Sequence, residues 1–260
     1  MNTDLSKLTD WFRANKLSLN VTKTVHMMFK DAYNKTPVPE DLNVKIGSEL
    51  VQKVTKVKFL GLHIDNELKW TYHLKHCQSK LSSSLYALRS AKHVLSPKHL
   101  QILYNSLINP DIDYGILLWG SAMKSLLKPI ETLQRKAIRI VCNAPYNAHT
   151  NILFRQTKNL TLEDNYHLQL SKFTFEYYNN SLPLGLSNIF VRNHDIHTHG
   201  TRHHNDPFIS SRKSAFACKS ILHVGPKLWH DIPMHLKNIE SAKNFTKSLK
   251  RDYIKQYNFS

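Results

Sequence analysis

Apolar positions change their spacing once along this chain, near Trp70. Before it they alternate. Leu17, Leu19 and Val21 point to extended backbone, and Val25 to Phe29 continues as a strand. Asn43–Ile46 and Glu49–Val54 read as a hairpin closed by Gly47 and Ser48, and Val57–Ile64 reads as one further strand. A helix precedes them over 3–16, with Asn2 or Thr3 as cap and Leu5, Leu8, Trp11 and Phe12 on one face. Asp31–Glu40, carrying Pro37 and Pro39, reads as a loop.

After Trp70 the spacing becomes three and four. Trp70, Leu74, Cys77, Leu81, Leu85 and Leu88 predict a helix to about Lys92. Ser96-Pro97 starts another, carrying Leu100, Leu103, Tyr104 and Leu107 and stopping before Pro110. Residues 114–120 form a short apolar segment. A helix is expected over 128–142, with Ile130, Leu133, Ala137, Ile138 and Val141 inward. Thr161 and Asp164 start one that runs from about Leu162 to Asn179. Residues 180–213 read as irregular, 215–223 as a strand, and Ser241 begins a basic helix through Tyr253. The expected class is α+β. Residues 1–68 form a small antiparallel unit, 69–180 a helical bundle, and 181–260 a His-rich loop with a small α/β unit.

Charge adds a partner class. Lys and Arg number 36 against 19 Asp and Glu, a formal net charge of +17, and the cations are spread along the chain rather than gathered in a tail. That balance favours polyanions such as RNA or DNA. Cys77, Cys142 and Cys218 are too scattered for a disulfide framework or a Cys-based zinc site. They point to an intracellular setting, cytoplasmic or nuclear, and not a secreted one. Neither a membrane-spanning run nor a signal-peptide core is present.

Two stretches carry the specific signal: Trp11-Phe-Arg-Ala-Asn-Lys-Leu-Ser-Leu-Asn-Val-Thr-Lys-Thr24 and Val57-Lys-Phe-Leu-Gly-Leu-His-Ile-Asp65, the second followed by Leu68-Lys-Trp70 and His73. Together they resemble the end of the palm of reverse transcriptases from non-LTR, LINE-type (jockey-like) retrotransposons. The resemblance implies that Asn20, Lys23 and Thr24 lie near the incoming nucleotide, the lysine stabilising charge on its phosphates. It implies that Phe59, Leu60 and Gly61 belong to the primer grip. The glycine, read from the residues alone, marks a bulge or a close backbone approach.

The likeness continues more weakly through Tyr104, Pro110, Tyr114-Gly115, Trp119-Gly120 and 134–139, in the order of the family's thumb. It extends to Thr201-Arg202, Trp229, Pro233 and 244–250. It implies that Lys128, Arg135, Lys136 and Arg139, with Lys247, Lys250 and Arg251 behind them, contact nucleic-acid phosphates. Each is equally explained as a solvated helix face. The family's catalytic Asp-Asp turn is expected upstream of Met1, with the rest of the palm and the fingers. No Asp-Asp dipeptide occurs in the 260 residues. The expectation is a reverse transcriptase (RNA-directed DNA polymerase) fragment, inactive alone, that retains template–primer binding. A divalent metal, magnesium by chemistry, would serve only the complete polymerase. A repurposed RNA- or DNA-binding module and a decayed remnant are the alternatives.

Two further constellations weigh less. His194, His197, His199, His203 and His204 could bind zinc or nickel, yet only Asp195 and Asp206 accompany them, and no metal site is expected. Glu67-Leu-Lys69 with Asp41 fits half of a metal nuclease motif. The Asp65–Trp70 stretch is already accounted for by the polymerase resemblance, so no catalytic residue is expected in this chain.

Overall fold

A computed structural model describes residues 2–30, 43–196, 204–211 and 217–257. The expected 31–40 loop therefore lies outside the described residues. The chain divides into two compact units, residues 1–75 and 76–260.

Unit 1 opens with α1 (Asn2–Ala14). Lys16 turns left-handed at φ +57°, and the Leu17 N–H closes back on Phe12 O at 2.9 Å, a common way to end a helix. The next segment is not a strand. Residues 21–23 make a single 3-10 turn, because the Asn20 side chain and the Thr24 hydroxyl bond to nearby backbone instead of leaving it for a sheet. Strand β1 is short (Val25–His26). The Gly47-Ser48 hairpin is as expected: β2 (Lys45–Ile46) pairs antiparallel with β3 (Glu49–Leu50), and Gly47 supplies φ +63°. Strand β4 (Gln52–Lys53) returns parallel to β1. Val44, Ile46 and Val51 form the core here, with Leu5, Leu19 and Val21 packed on it. The strand expected over 57–64 is instead a second hairpin, β5 (Lys56–Phe59) and β6 (Leu62–Asp65), with Phe59 opposite Leu62.

α2 (Thr71–Ala91) runs across the boundary between the units, and Leu74, Cys77, Leu81, Leu85 and Leu88 are buried as the spacing predicts. In unit 2, α3 (Pro97–Leu107) starts on Ser96, with proline in its first turn. The Ser96 hydroxyl bonds His99 Nδ1 at 2.9 Å rather than the backbone. Short helices α4 (Asn109–Asp113) and α5 (Ile116–Trp119) follow, and fully buried Trp119 donates to Tyr114 O. α6 (Lys124–Val141) begins four residues before the expected start and carries Pro129 inside it. α7 (Thr150–Thr157) has no counterpart in the sequence reading.

α8 (Leu162–Tyr178), capped by Thr161 accepting from Asp164 N, is the central helix, buried at Tyr166, Leu168, Leu170, Ser171, Thr174, Phe175 and Tyr177. α9 (Asn193–Ile196) is one turn. α10 (Ile221–Asp231) overturns the strand expected over 215–223 from residue 221 onward. Ser220 caps it, and Gly225, Pro226 and Trp229 bury one helical face, a spacing no strand can satisfy. α11 (Met234–Lys237) and α12 (Ala242–Gln256) complete the unit. Phe175 stacks on Phe245 at 4.4 Å between ring centres and meets Trp229 at 6.3 Å, which joins α8, α10 and α12. The protein is α+β and mainly helical.

Candidate nucleic-acid interface

Asn20, Lys23 and Thr24 share one turn. Asn20 Oδ1 accepts the Lys23 N–H at 3.1 Å and the Thr22 hydroxyl at 2.7 Å. The Thr24 hydroxyl and N–H both return to Asn20 O, at 2.8 and 3.1 Å. The Asn and the two Thr are thus spent on shaping the turn. The exposed Lys23 side chain is left facing solvent at its end, a fixed position for a cation.

Phe59, Leu60 and Gly61 form the tip of the second hairpin. Leu60 and Gly61 take φ +45° and +82°, so the glycine serves the turn rather than a bulge or a flat strand. A two-residue loop with both φ positive matches the twist of its flanking strands. Gly is at home there; Leu is not. Even so, Leu60 is 73% exposed and Phe59 60%. An apolar tip is presented to solvent by a turn that Asn would make more easily.

Asp65 anchors the base of this hairpin. Its carboxylate is buried and accepts three backbone N–H groups, from Glu67 (3.2 Å), Lys69 (2.9 Å) and Trp70 (2.8 Å). These bonds hold Leu68 and Trp70 in the left-handed region, at φ +51° and +63°. Glu67 pairs with Lys69 and, at 3.2 Å, with Lys30. Its carboxyl is held below the usual range first by the hydrogen bond from Lys69 and then by that from Lys30. Glu67, the described acid of the nuclease reading, is thus engaged with two lysines; its suggested partner Asp41 lies outside the described residues.

On α6 the four predicted cations separate. At about 100° per residue, Lys128, Arg135 and Arg139 fall within about 40° of one another, and Lys136 stands about 80° from Lys128. Lys124 extends the stripe and half-buried Glu131 borders it. Lys128, Arg135 and Lys136 are exposed. Arg139 is half-buried, and its Nε donates to Ala148 O at 3.0 Å, so it ties down the loop before α7. On α12, Lys247 is exposed and Lys250 half-buried on one stripe. Arg251 stands about 40° from Lys247 and about 100° from Lys250, and it donates to Ser248 Oγ at 3.3 Å. The sequence reading passed over Lys124, Lys172 and Lys243, although Lys243, Lys247 and Lys250 repeat at helical spacing.

Of the histidine cluster, His197, His199 and His203 lie outside the described residues. The His194 and His204 rings lie 5.1 Å apart, tilted by 38°, and His194 Nε2 lies 3.2 Å from Asp195. Asp206 belongs to another site: it accepts from Trp229 Nε1 at 2.9 Å and pairs with buried Lys237 at 3.5 Å. Among the described residues no three His, Cys, Asp or Glu side chains converge as a cation site. No described helix is long and apolar enough to cross a membrane.

The chain is 27% identical over 176 residues to the probable RNA-directed DNA polymerase from transposon BS of Drosophila melanogaster, a match covering 66% of this chain and 19% of that protein. The probable RNA-directed DNA polymerase from transposon X-element of the same organism is 25% identical, over 64% of this chain and 18% of its own. The RNA-directed DNA polymerase from mobile element jockey is 24% identical, over 75% and 21%. Its homologues are the RNA-directed DNA polymerases of non-LTR retrotransposons. The chain spans about a fifth of the length of these curated relatives. No family model and no solved structure matches it.

Proposed function

We propose that these 260 residues hold template–primer for a reverse transcriptase and lack the carboxylates that carry out nucleotidyl transfer. The observation that carries this is Leu60, an exposed apolar residue kept at positive φ on the hairpin tip that resembles a primer grip. A left-handed non-glycine residue persists only where its surroundings enforce it; Lys16, Leu68 and Trp70 have structural reasons for it, whereas at an exposed hairpin tip a functional side chain supplies one. The α6 stripe, about 16 Å from Lys124 to Arg135 at 1.5 Å per residue, supplies a second contact. It reaches past several phosphates of one strand, spaced about 3.4 Å along the axis.

The divalent metal that the resemblance implies finds no cradle among the described residues, and Asp65 is committed to backbone. No step of transfer is assigned to this chain. Its own residues bind: Phe59 and Leu60 against the primer terminus, Lys23 beside phosphate, Lys128 and Arg135 along the duplex.

Two assays test this. Purified protein incubated with primed RNA template, deoxynucleotides and magnesium should incorporate nothing; measurable extension overturns the absence of catalysis. Phe59→Ala should weaken binding to a recessed primer–template by about tenfold while leaving a blunt duplex unaffected, since loss of one buried aromatic contact is worth about 1–3 kcal/mol. Equal binding of both probes by both proteins removes the primer-grip role.

A further inference from the structure

A groove of about 480 Å³ runs between α8 and α12, lined by Lys172, Glu176, Lys243, Thr246, Lys247 and Lys250. At about 100° per residue Lys243, Lys247 and Lys250 share a stripe about 60° wide. Lys243 and Lys247 pair with no carboxylate among the described residues. Lys250 faces the field of Asp113, and Lys172 lies 3.7 Å from Glu176. Glu176 is thus one acid among four ammonium groups. Ala242 on α12 also lines the groove, so the lysine stems and this small residue give an apolar floor below a rim of charge. That is the form of a site for a sugar–phosphate backbone, with apolar sugar faces below and phosphates at the rim.

We propose that the α8–α12 groove is a second phosphate-backbone track, separate from the α6 stripe, on which Lys172, Lys243, Lys247 and Lys250 hold an RNA or DNA strand. The inference rests on the nucleic-acid reading above and adds the groove, Lys172 and Lys243 to it. A chain with two tracks grips its nucleic acid at two places. The second contact then forms at high effective concentration, so losing either track weakens binding by more than its own contacts.

Three full-length proteins separate the possibilities: wild type, K243Q/K247Q/K250Q in the groove, and K128Q/R135Q on α6. Each is titrated with a fluorescent primed RNA template across a salt series. The groove variant should lose at least tenfold in affinity. Its log Kd against log salt should flatten by about 0.7–0.9 for each lost contact, and K243R/K247R/K250R should restore both. A groove variant that binds with wild-type affinity and slope, while K128Q/R135Q loses both, overturns the groove and leaves the nucleic-acid reading standing. Wild-type binding that is flat in salt overturns that reading, and the groove with it.

Discussion

The carboxylate of Asp65 accepts the backbone N–H of Trp70 at 2.8 Å, five residues along the chain, from a position only 7% exposed. With the N–H groups of Lys69 and Glu67 this bond converts a hairpin end into a rigid bend that leads directly into α2. Removing the acceptor leaves inward-facing donors unpaired. Asp65→Ala should therefore cost unit 1 about 3 kcal/mol, since bonds to a charged group are worth about 1.5–3 kcal/mol each and relaxation recovers part. Asp65→Asn keeps one acceptor and should cost less than half of that. Urea unfolding followed by Trp fluorescence measures the difference. A neutral Asp65→Ala would mean that the bend is held by other contacts.

Lys237 is buried against the face of Trp229, with Nζ 5.1 Å from the ring centre, and its ammonium faces Asp206 at 3.5 Å. The side chains of the pair are 5% and 13% exposed, so solvent screens it little. Lys237→Ala removes the cation and leaves the carboxylate in place, which should cost about 3 kcal/mol, the lower part of the range for breaking a buried pair. Lys237→Met retains the stem over Trp229 and, combined with Asp206→Asn, should recover most of that loss. Melting temperatures of the single and double variants give the coupling directly. Additive losses would deny the pair any interaction.

The Cys77 thiol provides a pH signature. Burial, first, and the nearby Asp111 charge push it from the ordinary 9.0 up to about 11. The folded state therefore keeps the proton longer than the unfolded chain does. Stability from this group is fully present below pH 9 and is lost as pH rises from about 9 to 11. The loss is about 2 kcal/mol, at 1.36 kcal/mol per pKa unit less some relaxation. Cys77→Ser or Cys77→Ala should make the fall in stability between about pH 9 and 11 shallower by about 2 kcal/mol, leaving the part due to half-buried Cys142 and the tyrosines. In native protein at pH 8, maleimide should label the half-buried Cys218 well before Cys77. Rapid labelling of Cys77 would show that α2 opens locally.

Much of unit 2 was legible in the sequence because long helices carry a redundant signal. Five apolar positions define α2, and Thr161 with Asp164 mark the start of α8 whatever packs around them. Short elements lack that redundancy. Strand 57–64 looked continuous because it is apolar at 57, 59, 60, 62 and 64, yet the alternation changes phase between Phe59 and Leu60, and Gly61 lets the chain fold back at that point. The strand expected over 215–223 failed because the packing partner of α10 is α8, far away in sequence. The basic residues were individually visible. Which of them share a face depended on where α6 and α12 begin, and Arg139, equal to its neighbours on charge, turned out to hold the loop at Ala148.

Leu60 allows the structural and functional roles of the hairpin tip to be separated by sign. A left-handed non-glycine residue costs about 1–2 kcal/mol, and Leu60 recovers little by burial because it is 73% exposed. Leu60→Asn suits φ +45° better and should raise the stability of unit 1 by about 0.5–1 kcal/mol. If the exposed side chain meets a primer terminus, the same substitution should weaken binding of a recessed primer–template several-fold. Gly61→Val should do the opposite to stability, because a β-branched residue at φ +82° is strained. Urea midpoints and fluorescence titrations on the same preparations give both signs. A Leu60→Asn protein that is less stable and binds as before would make Leu60 a packing residue. A gain in stability with a loss of binding is what a strained functional side chain predicts, and no purely structural account of the turn produces both.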